Sequence, residues 1–223
     1  MVIPSLYPTF MKPPEIRTLP LGELDTNCYL IWCPDTLEAI LIDPADAGDH
    51  LSEEILRRNL KLSAILLTHG HFDHVLGLLD LRLNFDDTHI FLHADDMFLI
   101  KDAQKSAQHW LRRETDPIPP PTHFLTPQSA FSFGKYTLTT IETPGHTPGS
   151  VTFVLSLSPE ETILFVGDTL FKNGVGRTDF SYASAVELEK SLEKLIAYPS
   201  NTVVYPGHGS ATTIGEEKIS LGY

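Results

Sequence analysis

His69-Gly70-His71-Phe72-Asp73-His74 follows the apolar run Ser63-Ala64-Ile65-Leu66-Leu67 after one residue, Thr68. The run predicts a buried β-strand, which would deliver three imidazoles and one carboxylate within six residues. Because side chains alternate along an extended turn, His69 and His71 should point the same way, while Asp73 and His74 turn toward a neighbouring position. Neutral imidazole and carboxylate are the usual ligands of zinc and similar divalent metals. The stretch therefore predicts a metal site rather than a histidine-rich surface loop.

Three more metal-competent side chains stand at the ends of predicted strands. His146 lies in the segment 143–149 (TPGHTPG), Asp168 follows the apolar run 163–166, and His208 follows the run 203–205. Each has a glycine beside it, which lets the backbone turn sharply and brings the side chain close to a shared point. The same arrangement at four strand ends predicts that these side chains share one site.

This ordered set resembles the metallo-β-lactamase superfamily, and Ile42-Asp43-Pro44 is similar to the first motif of that family. Within the superfamily the chain most resembles small glyoxalase II-like hydrolases, also described as hydroxyacylglutathione hydrolase-like. Three segments carry this likeness: 24–29 (LDTNCY), 171–180 (FKNGVGRTDF) and 212–218 (TTIGEEK). The resemblance covers most of the chain. It implies an α/β fold, a four-layer αββα sandwich of the metallo-β-lactamase type with the site at one edge.

The resemblance also implies two divalent metal ions, with zinc favoured and iron or manganese as alternatives. One ion would be held by three imidazoles, those of His69, His71 and His146. The other would be held by a mixed set of Asp73, His74 and His208, and Asp168 would bridge the two ions. Metal coordination lowers the pKa of a bound water to about 7, so a metal-bridging hydroxide could attack a substrate carbonyl. Asp73 is the expected catalytic residue, because it would orient this hydroxide and later handle its proton.

The activity implied is that of a binuclear metal-dependent hydrolase, with thioesters of the hydroxyacylglutathione type as the favoured substrates. Full-length glyoxalase II enzymes follow the last ligand with a helical domain that contacts glutathione, whereas here fifteen residues follow His208. The basic residues near the ligand segments are Lys172 and Arg177. We therefore expect thioester hydrolysis with weak recognition of the glutathione part.

Two other interpretations stay open. Persulfide dioxygenases resemble this chain in residues 143–147 and 176–180, and they use a single iron at positions that correspond to His69, His146 and Asp168. Lactonase or β-lactamase activity would use the same cluster as the thioesterase. Two zinc ions per chain would favour hydrolysis, and one iron with oxygen uptake would favour the dioxygenase.

Composition restricts the class of partner. The 223 residues are 42% hydrophobic and 20% charged, which suits one soluble domain over 15–223 after an irregular tail over 1–14. A net charge of −13 argues against nucleic acid, and the absence of an apolar run of about 18 residues argues against a membrane. Cys28 and Cys33 would face opposite sides of one strand, which favours a reducing, cytoplasmic location. We expect a small-molecule substrate and a monomer or small homo-oligomer.

Periodicity predicts strands at 16–21, 28–32, 39–42, 64–67, 89–92, 136–141, 151–155, 162–166 and 202–205. Helices are predicted at 49–60, 74–83, 95–113 and 183–197, with a short one after His208 and an extended proline-rich loop at 117–121.

Weaker signals suggest roles around the site. Asp43 could hydrogen-bond a ligand imidazole, and Arg177 with Asp179 could form a salt bridge that shapes a loop. Lys172 and Tyr205 are candidate pocket residues. The helix that carries His109 and Trp110 could roof the cleft, although Trp110 itself is expected in the core. Four histidines outside the ligand pattern are expected at the surface or in structural roles: His50, His89, His93 and His123.

Overall fold

Two six-stranded sheets stack face to face in the computed structural model, which describes residues 12–158 and 160–223. Helices cover the outer face of each sheet, so the layers run helix, sheet, sheet, helix. This is the predicted αββα sandwich. Most of the predicted tail lies outside the described residues. Among those described, no helix is long and apolar enough to cross a membrane.

The first sheet has its strands in sequence order, and three helices pack on its outer face. The strands are β1 (Glu15–Leu21), β2 (Thr26–Trp32), β3 (Glu38–Ile42), β4 (Lys61–Leu66), β5 (His89–His93) and β6 (His123–Leu125). The helices are α1 (Gly48–Arg57), α2 (Leu78–Asn84) and α3 (Met97–Leu111). Strands β3 to β6 pair in parallel, so their carboxyl ends share one edge.

The second sheet has the order β14-β13-β10-β9-β8-β7 and carries the two remaining helices. Its strands are β7 (Ala130–Phe133), β8 (Tyr136–Glu142), β9 (Val151–Ser158), β10 (Glu161–Gly167), β13 (Val203–Pro206) and β14 (Thr212–Thr213). A small hairpin of β11 (Leu170–Phe171) and β12 (Gly174–Val175) follows β10. The helices are α4 (Ala185–Ile196) and α5 (Ile214–Leu221).

Alternating side chains on the strands fill three cores. On β10, for example, Ile163 and Phe165 face the core between the sheets, whereas Leu164 and Val166 pack toward α4 and α5. On β2, Cys28 belongs to the core under α1 to α3 and Tyr29 to the core between the sheets. Burying both faces of a central strand explains why these strands read as continuous apolar runs.

The strand directions bring the ligand segments to one edge. β9 is antiparallel to both β8 and β10, and β13 is parallel to β10, so β8, β10 and β13 all end on the same side. The Val151 amide donates to the carbonyl of Thr68, which joins this edge to the end of β4. Segments that are far apart in sequence therefore meet where the two sheets abut.

Some sequence predictions were wrong in detail. The helix predicted over 74–83 is a single 3₁₀ turn (Phe72–His74) and then α2, because the amides of Leu76 and Gly77 donate to the carbonyls of Ala45 and Pro44. The short strands β6, β7, β11, β12 and β14 were not predicted. Cys28 and Cys33 are free and lie in different cores, as expected from their opposite orientation.

Candidate metal centre

All seven predicted ligand residues converge at the shared edge. Their metal-binding atoms fall into overlapping groups, and within each group all of these atoms lie within 4.8 Å of one another. We call His69, His71 and His146 the imidazole group. We call Asp73, His74 and His208 the mixed group.

The imidazole group places three ring nitrogens at one point. His71 Nδ1 lies 3.0 Å from His69 Nε2 and 3.0 Å from His146 Nε2. His69 and His71 come from the loop after β4, and His146 comes from the loop between β8 and β9. This arrangement follows the alternation predicted for the loop, with its first two histidines on the same side.

The mixed group is formed around a carboxylate. Asp73 Oδ2 lies 3.6 Å from His74 Nε2 and 3.3 Å from His208 Nε2, and it accepts a hydrogen bond of 2.9 Å from the Thr26 hydroxyl. Asp73 and His74 sit on the 3₁₀ turn that follows His71, and the His74 ring lies 4.2 Å from that of His69.

Asp168 lies between the two groups. Its Oδ2 is 3.5 Å from His146 Nε2 and 3.6 Å from His208 Nε2, while its Oδ1 is 3.5 Å from His74 Nε2. The neighbouring Gly207 permits this position, because a Cβ there would lie 2.1 Å from Asp168 Oδ1. A single carboxylate thus faces imidazoles from both groups.

A buried carboxylate, Asp43, organises the start of the ligand loop. It accepts the Thr68 amide (2.7 Å) and hydroxyl (2.6 Å), and its Oδ2 lies 2.9 Å from His74 Nδ1. Thr68 Oγ1 is in turn 3.0 Å from His69 Nδ1. The prediction that Asp43 hydrogen-bonds a ligand imidazole is confirmed by this geometry.

The other three imidazoles also have an outer partner. His146 Nδ1 lies 2.9 Å from the carbonyl of Arg177, His208 Nδ1 lies 3.1 Å from the carbonyl of Leu24, and His71 Nε2 lies 2.8 Å from the Tyr182 hydroxyl. Carbonyls accept only, so they require a proton on the facing ring nitrogen. The inward nitrogens of His146 and His208 are therefore lone-pair donors when the rings are neutral.

The residues present fit a divalent metal. His74 Nε2 and Asp168 Oδ1 are buried and have no hydrogen-bond partner among the described residues. Three inward imidazole nitrogens at 3.0 Å would also repel one another through their lone pairs unless a cation or proton lay among them. Five imidazoles and two carboxylates are a donor set that zinc and iron accept.

Electrostatics differ between the two groups. Burial lowers the pKa of His71 to about 3, and burial with neighbouring imidazoles lowers that of His69. Burial alone would also lower the pKa of His74, but Asp73, Asp168 and Asp43 outweigh it and raise that pKa above its usual range. Without a metal, His69 and His71 are thus neutral, whereas His74 holds a proton that a metal would displace.

Comparisons with known proteins agree with this geometry. Residues 21–208 match the family described as the Metallo-beta-lactamase superfamily. The chain belongs to this superfamily. Hydroxyacylglutathione hydrolase GloC of Haemophilus influenzae is 34% identical over 92% of this chain and 96% of its own length. The probable metallo-hydrolase YqgX of Bacillus subtilis is 32% identical over 91% of this chain and 93% of its own length.

Solved structures of the superfamily superpose well. The BLEG-1 B3 metallo-beta-lactamase gives a TM-score of 0.82 at 33% identity, covering 92% of this chain and 97% of that one. TTHA1623 in a di-iron-bound form gives 0.80 at 35% identity, covering 92% and 98%. The predicted fold and family are therefore confirmed, and the protein is a metallo-hydrolase of the metallo-β-lactamase type that has the residues for divalent metals.

The segment 24–29 holds the last ligand loop of this metallo-β-lactamase fold. The Asn27 side chain donates to the carbonyls of Pro206 (3.0 Å) and Gly209 (2.9 Å), and the Tyr29 hydroxyl donates to Pro206 as well. These bonds flank His208 on both sides. In the sequence only the family resemblance distinguishes this segment, and in the structure it holds the backbone on both sides of His208.

Sequence reasoning missed Asp96. This buried carboxylate accepts the amides of Gly70 (2.9 Å) and Gly149 (2.7 Å) and the Thr147 hydroxyl (2.7 Å). It ties the loop of His69 and His71 to the loop of His146. An aspartate at the start of a helix looks like an ordinary cap in a sequence, so no signal distinguished it.

An open cavity of about 710 Å³ lies over the centre. Five aromatic residues are among those that line it: Phe72, Phe171, Phe180, Tyr182 and Trp110. The first four were not predicted as pocket residues. Trp110 is 57% exposed, so its expected place in the core is wrong, and α3 does form one wall of the cleft.

The other suggested residues have simpler places. Arg177 and Asp179 form the predicted salt bridge with two hydrogen bonds of 3.0 and 2.8 Å, and Arg177 lines the cavity. Lys172 is exposed outside the cavity lining, and Tyr205 stacks on Phe165 in the core between the sheets, so neither is a pocket residue. The histidines expected away from the cluster are away from it: His50, His89, His93 and His123.

Proposed function

We propose that this protein is a binuclear metal-dependent hydrolase of thioesters, with chemistry of the hydroxyacylglutathione type. The supporting observation is that Asp168 lies 3.5–3.6 Å from imidazole nitrogens of both groups, and that both groups line one cavity. The similarity to a hydroxyacylglutathione hydrolase at 34% identity points in the same direction. In this reaction water adds across the C–S bond, which yields a carboxylate, a thiol and one proton.

We assign one metal position to each group. His69, His71 and His146 would hold the first ion, Asp168 would serve both, and the mixed group would hold the second. Zinc is the favoured metal, because imidazole with carboxylate is its common ligand set. Bound there, two divalent ions would lower the pKa of a coordinated water, so that hydroxide is available at neutral pH, and would act as a Lewis acid toward the carbonyl.

Asp73 is assigned a catalytic role in addition to that of ligand. Its carboxylate lines the cavity, so it can face a substrate as well as the centre. Burial alone would raise the pKa of Asp73, but His74 and His208 outweigh it and hold that pKa below its usual range. The Thr26 hydroxyl donates to the same carboxylate at 2.9 Å. The carboxylate therefore stays ionised and can orient an attacking water by accepting a hydrogen bond from it; we propose that it also handles the proton of that water later in the reaction.

The mixed group argues for hydrolysis over the mononuclear-iron persulfide dioxygenase. A single iron bound by His69, His146 and Asp168 would leave the mixed group without a metal to bind. Yet His74 and His208 are oriented by outer partners at 2.9 and 3.1 Å, and His74 Nε2 is buried with no hydrogen-bond partner among the described residues. Outer partners of this kind orient the histidine ligands of metal sites, so they support a second ion in the mixed group.

Metal analysis of the purified protein with steady-state kinetics tests the proposal. We expect two divalent ions per chain and hydrolysis of S-lactoylglutathione that is lost on chelation and restored by metal. β-Lactams and lactones belong in the same assay as side activities, since BLEG-1 is named a β-lactamase. One iron per chain, with oxygen consumed on glutathione persulfide and no thioester hydrolysed, would replace the proposal with the dioxygenase.

A further inference from the structure

Six large side chains give the cavity an apolar wall: Leu24, Leu99, Trp110, Phe171, Phe180 and Tyr182. None of them is a metal-ligand candidate, and they come from the β1–β2 turn, α3, β11 and the segment 176–184. We use "apolar wall" for these six residues. Large apolar surface left open to solvent around a reactive centre is typical of a site that binds an apolar group.

The face of α3 explains part of the wall. Leu99, Ser106 and Trp110 are seven and four residues apart, so they lie on one side of the helix, and all three line the cavity. Ala103 and Ala107 on the neighbouring stripe are buried against the first sheet. The helix thus packs one stripe in the core and offers another to a ligand. Trp110 is the largest side chain of that second stripe.

The wall is continuous with the metal centre. The Phe180 ring lies 5.3 Å from that of His71, and it stacks on Tyr182 at 5.4 Å with an interplanar angle of 11°. On the opposite side, the Phe171 ring lies 6.2 Å from that of His208. A carbonyl at the centre would therefore have aromatic surface on both sides.

Charge in the cavity disfavours a dicarboxylate ligand. Among the described residues that line it, Arg177 is the one Lys or Arg side chain. Its guanidinium Nε and Nη2 already donate to Asp179, at 3.0 and 2.8 Å, and the group lies 4.8 Å from the centre of the Phe180 ring. The negative charge of Asp179 offsets the positive charge of Arg177, which weakens the attraction of the cavity for a second carboxylate. The chain carries a net charge of −13 as well.

We propose that the preferred substrates are thioesters whose thiol part is uncharged and aromatic, bound against the apolar wall with the carbonyl at the metal centre. This inference rests on the proposed thioester hydrolysis and deepens it. The cavity of about 710 Å³ is large enough for a phenylalkyl group beside a short acyl group. Glutathione, with its two carboxylates, would meet aromatic rings and a neutralised arginine.

Kinetics on matched substrates test the preference. Lactoyl thioesters of 2-phenylethanethiol, N-acetylcysteamine and glutathione share one acyl group and have alkyl thiol leaving groups of similar acidity. With the metal-loaded enzyme, we expect kcat/KM for the phenylethyl ester to exceed that for the glutathione ester about tenfold or more. Equal values, or a higher value for glutathione, would overturn the inference while leaving the proposed hydrolysis intact.

Substitutions locate the preference. Trp110→Ala should lower kcat/KM for the phenylethyl ester about tenfold and change the N-acetylcysteamine ester less than about threefold. Phe124→Ala is the matched control, because Phe124 is an equally exposed aromatic outside the cavity. Asp179→Asn should free Arg177 and raise kcat/KM for the glutathione ester about threefold or more. If the substrate ratios stay unchanged in both test variants, the apolar wall does not select the substrate.

A binding measurement separates this inference from the proposed function. The probe is a phenylethyl thioether in which a CH₂ group replaces the lactoyl carbonyl, so it cannot be hydrolysed. The protein has two tryptophans, and Trp32 packs against the core, so a fluorescence change on adding the probe should vanish in Trp110→Phe. Binding without turnover of any thioester would refute the proposed function alone. No binding to the metal-loaded protein would refute the assignment of the wall.

Discussion

The imidazole group and the mixed group lie side by side but are stabilised by different chemistry. In the imidazole group, the outer ring nitrogens of His71 and His146 contact neutral oxygens, those of the Tyr182 hydroxyl and the Arg177 carbonyl. In the mixed group, the outer ring nitrogen of His74 contacts the carboxylate of Asp43, and Asp73 adds a second carboxylate. Negative charge is therefore concentrated on one side of Asp168.

This difference predicts unequal metal positions. An imidazole backed by a carboxylate is a stronger base and a better ligand than one backed by a neutral group. A cation in the mixed group also has the Asp73 charge in its coordination sphere, whereas a cation in the imidazole group shares only Asp168. We expect the two ions to bind with different affinities. Asp168→Ala and Asp96→Ala test the centre as a whole, and Asp43→Asn and Tyr182→Phe test the difference between the two groups.

Asp168→Ala should have the largest effect, because it removes the carboxylate that faces both groups. We expect kcat/KM to fall by about three orders of magnitude or more and the metal content to drop below two ions per chain. Kinetics and metal analysis on the same preparation measure both effects, with circular dichroism to show that the fold is kept. His50→Ala, at an exposed histidine outside the cluster, should change neither quantity. Wild-type turnover in Asp168→Ala would rule out the shared role.

Asp96→Ala should act on stability and on the imidazole group. It removes the acceptor for two amides and one hydroxyl, of which Gly70 and Gly149 cannot find another partner in the interior. We expect the metal-free protein to lose about 3 kcal/mol in its free energy of unfolding by denaturant. Asp95→Ala is the matched control at a neighbouring exposed aspartate. A loss no greater than in this control would show that Asp96 does not hold the two loops together.

The residues that meet in the cluster could be predicted because local sequence carries their signal. A short apolar strand followed by His69, His71, Asp73 and His74 is rare in a chain unless these side chains bind a metal, and Asp168 ends a strand in the same way. The sandwich followed from the alternation of strands and amphipathic helices and from the family resemblance. Each of the local signals lies within about ten residues of chain.

Apart from Asp43, the outer partners could not be predicted, because they come from distant elements. Tyr182 is 111 residues from His71 and lies in an irregular segment with no periodicity. Trp110 shows a different limit. Its position in the helical repeat is typical of a core residue, but where a helix extends past the edge of a sheet, a side chain at that position can face a cavity instead. Only the position of α3 relative to the centre separates the two cases.

Asp43→Asn should weaken the mixed group more than the imidazole group. The amide keeps the size of the side chain and tolerates the left-handed backbone at this residue, where φ is 50°, but it removes the charge behind His74. We expect one of the two metal affinities to fall about 10- to 100-fold, measured by titrating the metal-free protein. Asp49→Asn makes the same charge change at an exposed position on α1. Equal weakening of both affinities would mean that the groups are not independent.

Tyr182→Phe should have the smallest effect and should fall on the other group. It removes a neutral hydroxyl 2.8 Å from His71 Nε2 but keeps the ring that stacks on Phe180 in the apolar wall. One neutral hydrogen bond is worth about 1 kcal/mol, so we expect about a fivefold loss in the metal affinity that Asp43→Asn leaves unchanged. Tyr198→Phe, at a half-buried tyrosine packed beside α4, is the control.

Because Tyr182→Phe keeps the aromatic ring of the apolar wall, KM for a phenylethyl thioester should change less than about twofold once both metals are saturating. If Tyr182→Phe weakens the same ion as Asp43→Asn, then Asp168 couples the two groups so closely that they act as one site.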